Sequence, residues 1–205
     1  EGTDICLFPQ MANRHGLITG ATGTGKTVTL QTLAETFSEM GVPVFAADVQ
    51  GDLSGIAATG GNNKSVVLRV EDYTLADNGF RFQAFSVEFW DVFGGQGSPV
   101  RATVEDMGPL LLSRLLSLNE TQSAVLTVIF KIASDESLEI IDLKDLRKLL
   151  EYVGNNTKRY ITNYGNISSA SIGAIQRGLI TVEHDGIDSF FGEPSLILDD
   201  FIQTV

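Results

Sequence analysis

The sequence feature that most constrains this chain is a glycine-rich motif near its start, GATGTGKT at residues 20–27. It follows HGLIT (residues 15–19), a short apolar run that predicts a buried strand, and it precedes VTLQTLAETFSEM (residues 28–40), whose apolar residues recur at helical spacing. Gly41 predicts the end of that helix, and the β-branched segment VPVFAAD (residues 42–48) predicts a second buried strand. A strand, a glycine loop, a helix and a strand in this order are typical of the parallel α/β class.

The motif satisfies the P-loop pattern G-x-x-x-x-G-K-[ST] through Gly20, Gly25, Lys26 and Thr27. Glycines let the backbone wrap closely, so that successive N–H groups and the positive end of the following helix face phosphate oxygens. We expect Lys26 to reach the β- and γ-phosphates of a bound nucleotide, and the Thr27 hydroxyl to ligate Mg²⁺. The alternative is a tight glycine-rich turn with a surface lysine. The predicted nucleotide-contacting residues are Gly20, Ala21, Thr22, Gly23, Thr24, Gly25, Lys26, Thr27 and Val28.

Two carboxylates follow the second predicted strand. Asp48 comes at the C-terminal end of that strand, on the edge of the sheet where open α/β folds place ligands, and Asp52 follows in the loop. We expect Asp48 to approach the metal or its waters, and Asp52 to act with Lys26 as a catalytic residue. The alternative is that the strand-end carboxylate only caps its loop, because many loops carry Asp for turn chemistry.

Two further runs predict strands, SVVLRV (residues 65–70) and FSVEFWDVF (residues 85–93), and GGQGSP (residues 94–99) marks a break after them. The segments SLILDD (residues 195–200) and FRFQAF (residues 80–85) each allow two interpretations. The first resembles a short Walker B strand with an acid pair, or is a capped loop-to-helix junction. The second could stack bases, or is a strand that buries one face.

Residues 103–185 predict a run of amphipathic helices. Each of the first three opens with a side-chain acceptor at the N-cap and a polar partner three residues later. These pairs are Thr103 with Asp106, Asn119 with Gln122, and Asp142 with Asp145, and the predicted helix stops are Gly154 and Gly186.

The predicted fold is therefore a partial α/β P-loop core with an all-helical subdomain inserted. The predicted domains are residues 1–100 for the core, residues 101–190 for the helical insertion and residues 191–205 for the return to the core.

The amino-acid composition limits the classes of partner and the compartment that the chain is suited to. The 205 residues carry 14 Lys and Arg against 26 Asp and Glu, a formal net charge of -12, which is the wrong sign for a surface that grips phosphate backbones throughout. Cys6 is the single cysteine, so an intrachain disulfide and a cysteine-based zinc site are excluded. No apolar run approaches the roughly 18 residues of a membrane span. We expect a protein of a reducing, cytoplasmic compartment without membrane contact.

The segment PQMANRHGLITGATGTGKTVTLQTLAETFSEMGVPVFAADVQGDLSG (residues 9–55) closely resembles the YjgR-like bacterial ATPases, HerA-like helicase proteins of the HerA–FtsK superfamily of P-loop motors. Later stretches resemble the same family: FWDVFGGQGSPVRATVEDMGPLLLSRLLSLNETQ, DLKDLRKLLEYV, and SIGAIQR with FFGEP. The resemblance implies a RecA-like core that binds ATP and Mg²⁺ at residues 20–27. It also implies a D-x-x-G-D turn from Asp48 to Asp52, in which Gln50 stands where lysine is expected.

The resemblance further implies a homo-oligomeric ring, with a hexamer as the expected form, in which ATP hydrolysis moves DNA. Family members are much longer, and their Walker B acids follow the FFGEP region, so we expect this chain to be an N-terminal part that hydrolyses little ATP alone. One alternative is a nucleotide-dependent switch or scaffold that acts on protein partners. Another is a small-molecule kinase, for which the sequence offers neither an acceptor pocket nor a lid. Arg101, Arg114 and Arg177 are each candidates for an arginine finger.

Overall fold

The computed structural model of the chain describes residues 7–197 and residue 199. The chain divides into two compact units, one that extends to Val87 and one that begins at Glu88. We call them the P-loop unit and the helical unit.

The P-loop unit contains two α-helices, α1 (Lys26–Glu39) and α2 (Lys64–Asp72), and three short 3-10 helices, Pro9–Met11, Ser54–Ala57 and Leu75–Asn78. Helix α1 ends as predicted at Gly41, which adopts a left-handed conformation with φ of 75°. The N–H of Gly41 donates to Ser38 O at 2.9 Å, and the N–H of Val42 donates to Phe37 O at 2.9 Å. These two bonds form a Schellman motif, which explains why a glycine closes this helix.

The strand predicted at residues 65–70 is wrong, because these residues lie in α2. The Asn63 side chain accepts hydrogen bonds from the N–H groups of Ser65 and Val66, which caps the helix at its start. Val67 and Val70, three residues apart, are the half-buried members of the run. A cap and an i, i+3 apolar pair therefore outweigh the β-branched composition that suggested a strand.

The parallel sheet predicted for this unit is not seen among the described residues. Residues 15–19 and 42–48 have no assigned strand structure, and Leu17 is 87% exposed and Phe45 81% exposed. The predicted strand at residues 85–93 is confirmed only at Trp90–Asp91. A strand requires hydrogen bonds from a neighbouring strand, and an apolar sequence alone cannot supply that partner.

The helical unit opens with a small parallel pair, β1 (Trp90–Asp91) and β2 (Ser98–Pro99). Residues 92–97 connect them, so the break predicted at residues 94–99 supplies the end of the connection and also β2 itself. The Asp91 carboxylate accepts hydrogen bonds from the N–H groups of Phe93, Gly95 and Gln96. These bonds lower the pKa of Asp91, because they stabilise its charged form.

Five α-helices follow and form the bulk of the unit. All three predicted capping boxes are confirmed, with reciprocal bonds between the N-cap and the residue three positions later in each helix. The helices are α3 (Val104–Leu115), α4 (Glu120–Asp135), α5 (Leu143–Asn155), α6 (Thr157–Tyr164) and α7 (Ser169–His184), followed by the 3-10 helix Ile187–Phe190. Gly108, with φ of 69° and ψ of 170°, kinks α3 directly before Pro109.

The core of the helical unit is built around α4. Helix α4 packs against both α3 and α7, and α5 packs against α7 and α4. The fully buried side chains come from all of these helices and from Ile140, in the segment before α5: Val104, Leu112, Leu126, Ile129, Ile132, Ile140, Leu146, Leu150, Val153, Ile175 and Leu179. The apolar stripes that the sequence predicted for α4 and α5 are therefore the faces that meet in the core.

Two glycines mark close contacts in this core. A Cβ on Gly178 of α7 would lie 3.2 Å from Leu116 Cβ and 3.3 Å from Leu116 O. Gly154, predicted as a helix stop, lies inside α5, and a Cβ there would lie 3.3 Å from Ile172 Cδ1. Helix α5 ends one residue after Gly154, at Asn155, so the predicted position is close, but the reason for the glycine is room for a neighbouring helix. The predicted stop at Gly186 is confirmed, with φ of 76° directly after α7.

Among the described residues, no helix is long and apolar enough to cross a membrane.

Candidate nucleotide-binding site

The P-loop motif forms a closed turn that leads into α1. The hydroxyl of Thr24 donates to Ala21 O at 2.8 Å, and the N–H of Thr24 donates to the same oxygen at 3.4 Å. A Cβ built on Gly20 would lie only 2.5 Å from Thr24 Oγ1. A side chain at this first glycine would therefore displace the Thr24 hydroxyl from its bond to Ala21 O.

The other two glycines are required by backbone conformation. Gly23 and Gly25 have φ of 81° and 94°, in the left-handed region that disfavours residues with a Cβ. Gly25 is the N-cap of α1, and it provides no side-chain capping bond. The N–H groups of Lys26, Thr27 and Val28, in the first turn, have no intrahelical acceptors and remain available to a ligand. This end of α1 has the polarity that favours an anion.

The Lys26 side chain folds back over the loop. Its Nζ donates to Gly20 O at 2.8 Å and to Ala21 O at 2.9 Å. Lys26 and Thr27 are half-buried, whereas residues 20–24 are exposed. The ammonium group is thus held at the loop that contains the predicted phosphate-contacting N–H groups.

The turn that contains Asp48 and Asp52 is connected to α1. The side-chain amide of Gln31 donates from Nε2 to Asp52 O at 3.2 Å. Gln31 is four residues after Thr27, so both side chains lie on the same face of α1. The structure therefore brings the backbone of Asp52 to the face of α1 that carries Thr27, the predicted Mg²⁺ ligand. The contact is at Gln31, one helical turn after Thr27.

Asp48 holds this turn closed. Its Oδ1 accepts the N–H groups of Gly51 at 2.9 Å and Asp52 at 3.1 Å, and its Oδ2 accepts the N–H of Leu53 at 2.9 Å. The capping interaction considered from the sequence is present. A carboxylate has about four acceptor positions, so three such bonds leave room for a further contact. The role of Asp48 at a metal stays a prediction.

Sequence reasoning missed Gln31. The available signal was its spacing, since a polar residue four positions after the P-loop threonine shares its helix face. The partner of Gln31 is 21 positions away in the sequence, and no local pattern identifies such a partner.

Within residues 7–197 and 199, no three His, Cys, Asp or Glu side chains come together as a metal site. The predicted Mg²⁺ site does not require such a group, because a P-loop metal is held by a hydroxyl, an acid and the oxygens of the nucleotide itself. The residues present fit that chemistry: the Thr27 hydroxyl is on the first turn of α1, and a Cβ at Gly20 would displace the Thr24 hydroxyl that closes the loop.

The other segments and residues that the sequence suggested for function lie outside the glycine loop. In SLILDD, Leu198 and Asp200 lie outside the described residues, while Leu196 and Ile197 are exposed and have no strand assignment. Arg101 donates to Glu193 O at 3.0 Å. In FRFQAF, the Phe82 ring packs against Gly60, since a Cβ built on that glycine would lie 3.4 Å from the ring. The Phe82 and Phe80 rings pack edge to face. Phe82 therefore packs within the P-loop unit.

The family model described as Helicase HerA-like C-terminal matches residues 1–205. No curated protein and no solved structure matches the chain significantly.

Proposed function

The chain belongs to the family of helicase HerA-like C-terminal domains, and from this premise we propose that residues 20–28 bind ATP together with Mg²⁺. The observation that carries the proposal is the start of α1, where a glycine N-cap, the Gly20 backbone packed against the Thr24 hydroxyl and the Lys26 ammonium converge on one short loop. Backbone N–H groups at a helix start and a nearby lysine are the elements that recognise a polyphosphate.

The proposed roles follow from these positions. The N–H groups of the loop and of the first turn of α1 would contact phosphate oxygens, with Lys26 leaving the carbonyls of Gly20 and Ala21 to neutralise the terminal phosphates. Thr27 would hold Mg²⁺, which supplies charge neutralisation at the phosphates when bound. Asp48 would approach the metal through its remaining acceptor position, and Asp52 would act near the terminal phosphate. Gln31 would position the Asp52 turn against α1.

Substitution of Lys26 tests the proposal that residues 20–28 bind ATP. We expect Lys26→Ala to weaken binding of a fluorescent ATP analogue by at least tenfold, because the exchange removes the charge held at the loop. Lys64→Ala is the matched control: Lys64 is likewise the first residue of an α-helix in the same unit, but the Asn63 side chain caps that helix. Equal affinity in wild type and Lys26→Ala would contradict the P-loop assignment.

We propose further that the chain acts in a DNA-translocating ring, with a hexamer as the expected form, and that residues 1–205 alone hydrolyse ATP slowly. The support is the family membership, and the YjgR-like assignment within that family is likewise a proposal. A motor requires ATPase activity that DNA stimulates, and DNA binding that weakens steeply with salt. A high turnover number for residues 1–205 would contradict slow hydrolysis and indicate Asp199 and Asp200 as the acids.

The net charge of -12 favours a second candidate, a nucleotide-dependent switch that acts on protein partners. The same assays separate the two functions, because a switch binds ATP without stimulation by DNA. A ring that contacts DNA through a few local Lys and Arg side chains would instead retain the salt dependence despite its acidic exterior.

A further inference from the structure

The short helix α6 (Thr157–Tyr164) is attached to the helical unit in a different way from its neighbours. Helices α3, α4, α5 and α7 supply many buried apolar side chains to the core, whereas the described residues of α6 supply only Tyr160. Ile161, next to Tyr160, is exposed. The backbone of α6 packs closely against the preceding helix α5, while the core helices pack against one another. The core of the unit is therefore assembled largely without α6.

Two breaks in the helical backbone bound α6. Asn156, between α5 and α6, has φ of -120° and ψ of 26°, and its side chain makes no capping bond to α6. That side chain instead donates from Nδ2 to Tyr152 O at 2.8 Å, within α5. At the other end, Gly165 has φ of 82°, in the left-handed region that glycine adopts most easily. Helix α6 is therefore a short piece between two points where the backbone can change direction.

Side-chain bonds to the end of α4 hold α6 in place. Arg159 donates from Nη2 to Glu136 Oε1 at 2.9 Å, and the Tyr160 hydroxyl donates to the same oxygen at 2.9 Å. The Tyr164 hydroxyl donates to Asp135 Oδ2 at 2.8 Å. Three side chains of α6 are thus bonded to two consecutive acids, and hydrogen bonds to a charged acceptor are stronger than those between neutral groups.

The two acids are unfavourably placed for α4 itself. Asp135 is the last residue of α4 and Glu136 is its C-cap, and the C-terminal end of a helix disfavours carboxylates. Lys131 of α4 donates to Asp135 Oδ1 at 2.6 Å. The bonds from Lys131 and Tyr164 lower the pKa of Asp135, because they stabilise its charged form. The acids therefore contribute to the attachment of α6 more than to the formation of α4.

We propose that α6 is a latch, which detaches as one piece when its bonds to Asp135 and Glu136 break, while the core of α3, α4, α5 and α7 stays folded. Detachment moves the Tyr160 ring, 3% exposed in the closed state, into solvent. The side chains of the ion pair between Arg159 and Glu136 are partly exposed, so salt screens their attraction and shifts the balance towards the open state. The latch uses no residue of the P-loop, so it does not depend on the proposed nucleotide binding.

Hydrogen exchange of the full chain at neutral pH, followed by mass spectrometry, tests the latch. We expect the amides of α6 to exchange through an opening that about 1 M urea hardly affects, because detachment exposes little surface. Urea should accelerate exchange of the central amides of α4, which requires unfolding of the core. Sodium chloride at about 0.5 M should speed exchange of α6 severalfold. Glu136→Ala should speed it about tenfold and remove most of the salt effect, since both bonds to Oε1 are lost.

Glu139→Ala and Lys158→Ala are the matched controls. Glu139 is an exposed acid three residues after Glu136, and Lys158 is the exposed cation next to Arg159; in the described part of the chain neither side chain forms a hydrogen bond or an ion pair. Both controls should leave exchange of α6 within about twofold of wild type, whereas Arg159→Ala should speed it as Glu136→Ala does.

Three results would overturn the proposal. The first is exchange of α6 that is as slow and as sensitive to urea as that of central α4, because α6 would then open only with the core. The second is a control variant that speeds exchange of α6 as much as Glu136→Ala, because the bonds to the two acids would then not be the cause. The third is the absence of a salt effect in wild type, a measurement that needs no variant.

Discussion

The two units of this chain bury their apolar residues very differently. Among residues 7–87 no side chain is buried, and Leu17, Phe45 and Val49 are more than four-fifths exposed. The helical unit contains the entire core of the described residues, with eleven large side chains that are fully buried. Helices satisfy their backbone hydrogen bonds within a few residues, whereas parallel strands need partners from elsewhere in the chain. The difference shows that local sequence signals suffice for one unit and not for the other.

The largest expected effect tests where the stability lies. Leu126→Ala in α4 should lower the free energy of unfolding by about 2–5 kcal/mol, because Leu126 is 0% exposed and the exchange leaves a cavity. Leu17→Ala, at a side chain that is 87% exposed, should change it by less than about 0.5 kcal/mol. Urea unfolding followed by circular dichroism measures both. Comparable losses in the two variants would contradict the contrast between the units.

The second prediction concerns a substitution that should change nucleotide affinity in the P-loop unit without changing the stability of the helical unit. Gly20→Ala places a Cβ 2.5 Å from Thr24 Oγ1 and should reduce affinity for a fluorescent ATP analogue by roughly tenfold or more, because the Thr24 hydroxyl must leave its bond to Ala21 O, which closes the loop. The unfolding of the helical unit should not change. Gly16→Ala is the matched control, since no atom lies within 4 Å of the added Cβ. A Gly20→Ala chain with normal affinity would show that the loop tolerates a side chain.

A smaller effect compares one helix cap in each unit. Asn119→Ala removes the capping box of α4 and should lower the free energy of unfolding by about 1 kcal/mol. Asn63→Ala removes the equivalent cap of α2, and it should reduce helix content locally without moving the main unfolding transition. The comparison fails if Asn63→Ala shifts that transition as far as Asn119→Ala does.

The smallest effect is a pH dependence confined to the helical unit. Burial raises the pKa of Tyr160 above its ordinary value of 10.0, and the hydrogen bond from its hydroxyl to Glu136 Oε1 at 2.9 Å adds to the rise. The unfolded chain therefore ionises first, so this contribution to stability is complete below about pH 10 and is lost above it. Thermal unfolding across this range should show the loss in wild type, and Tyr160→Phe should remove it. An unchanged slope in Tyr160→Phe would exclude Tyr160 as the source.

The secondary structure predicted from the sequence was more accurate in the helical unit than in the P-loop unit. Asn119 with Gln122 and Asp142 with Asp145 were predicted as caps and are confirmed, because a capping box needs only residues three positions apart. The run at residues 65–70 was predicted as a strand and is α2, since β-branched composition describes packing more than backbone preference. Gly154 was predicted as a stop and lies one residue before the end of α5, but its close contact with Ile172, on another helix, could not be predicted from local sequence.

The candidate site likewise contains features that the sequence predicted and features that it did not. The glycine motif of residues 20–27 could be identified from the sequence because it lies in one contiguous turn, and its role in nucleotide binding stays a prediction. The bond from Gln31 to Asp52 O could not be predicted, and neither could the buried hydroxyl of Ser113, which has no hydrogen-bond partner in the described part of the chain.

The sequence by itself determined the helix starts, the glycine loop and the apolar stripes, because each of these depends on interactions across three or four residues or on a motif eight residues long. Only the tertiary structure decided which predicted strands find partners, which face of α3 meets α4 and which polar atoms are buried without a bond. Those outcomes depend on contacts between residues far apart in the chain, whose energies no local pattern encodes.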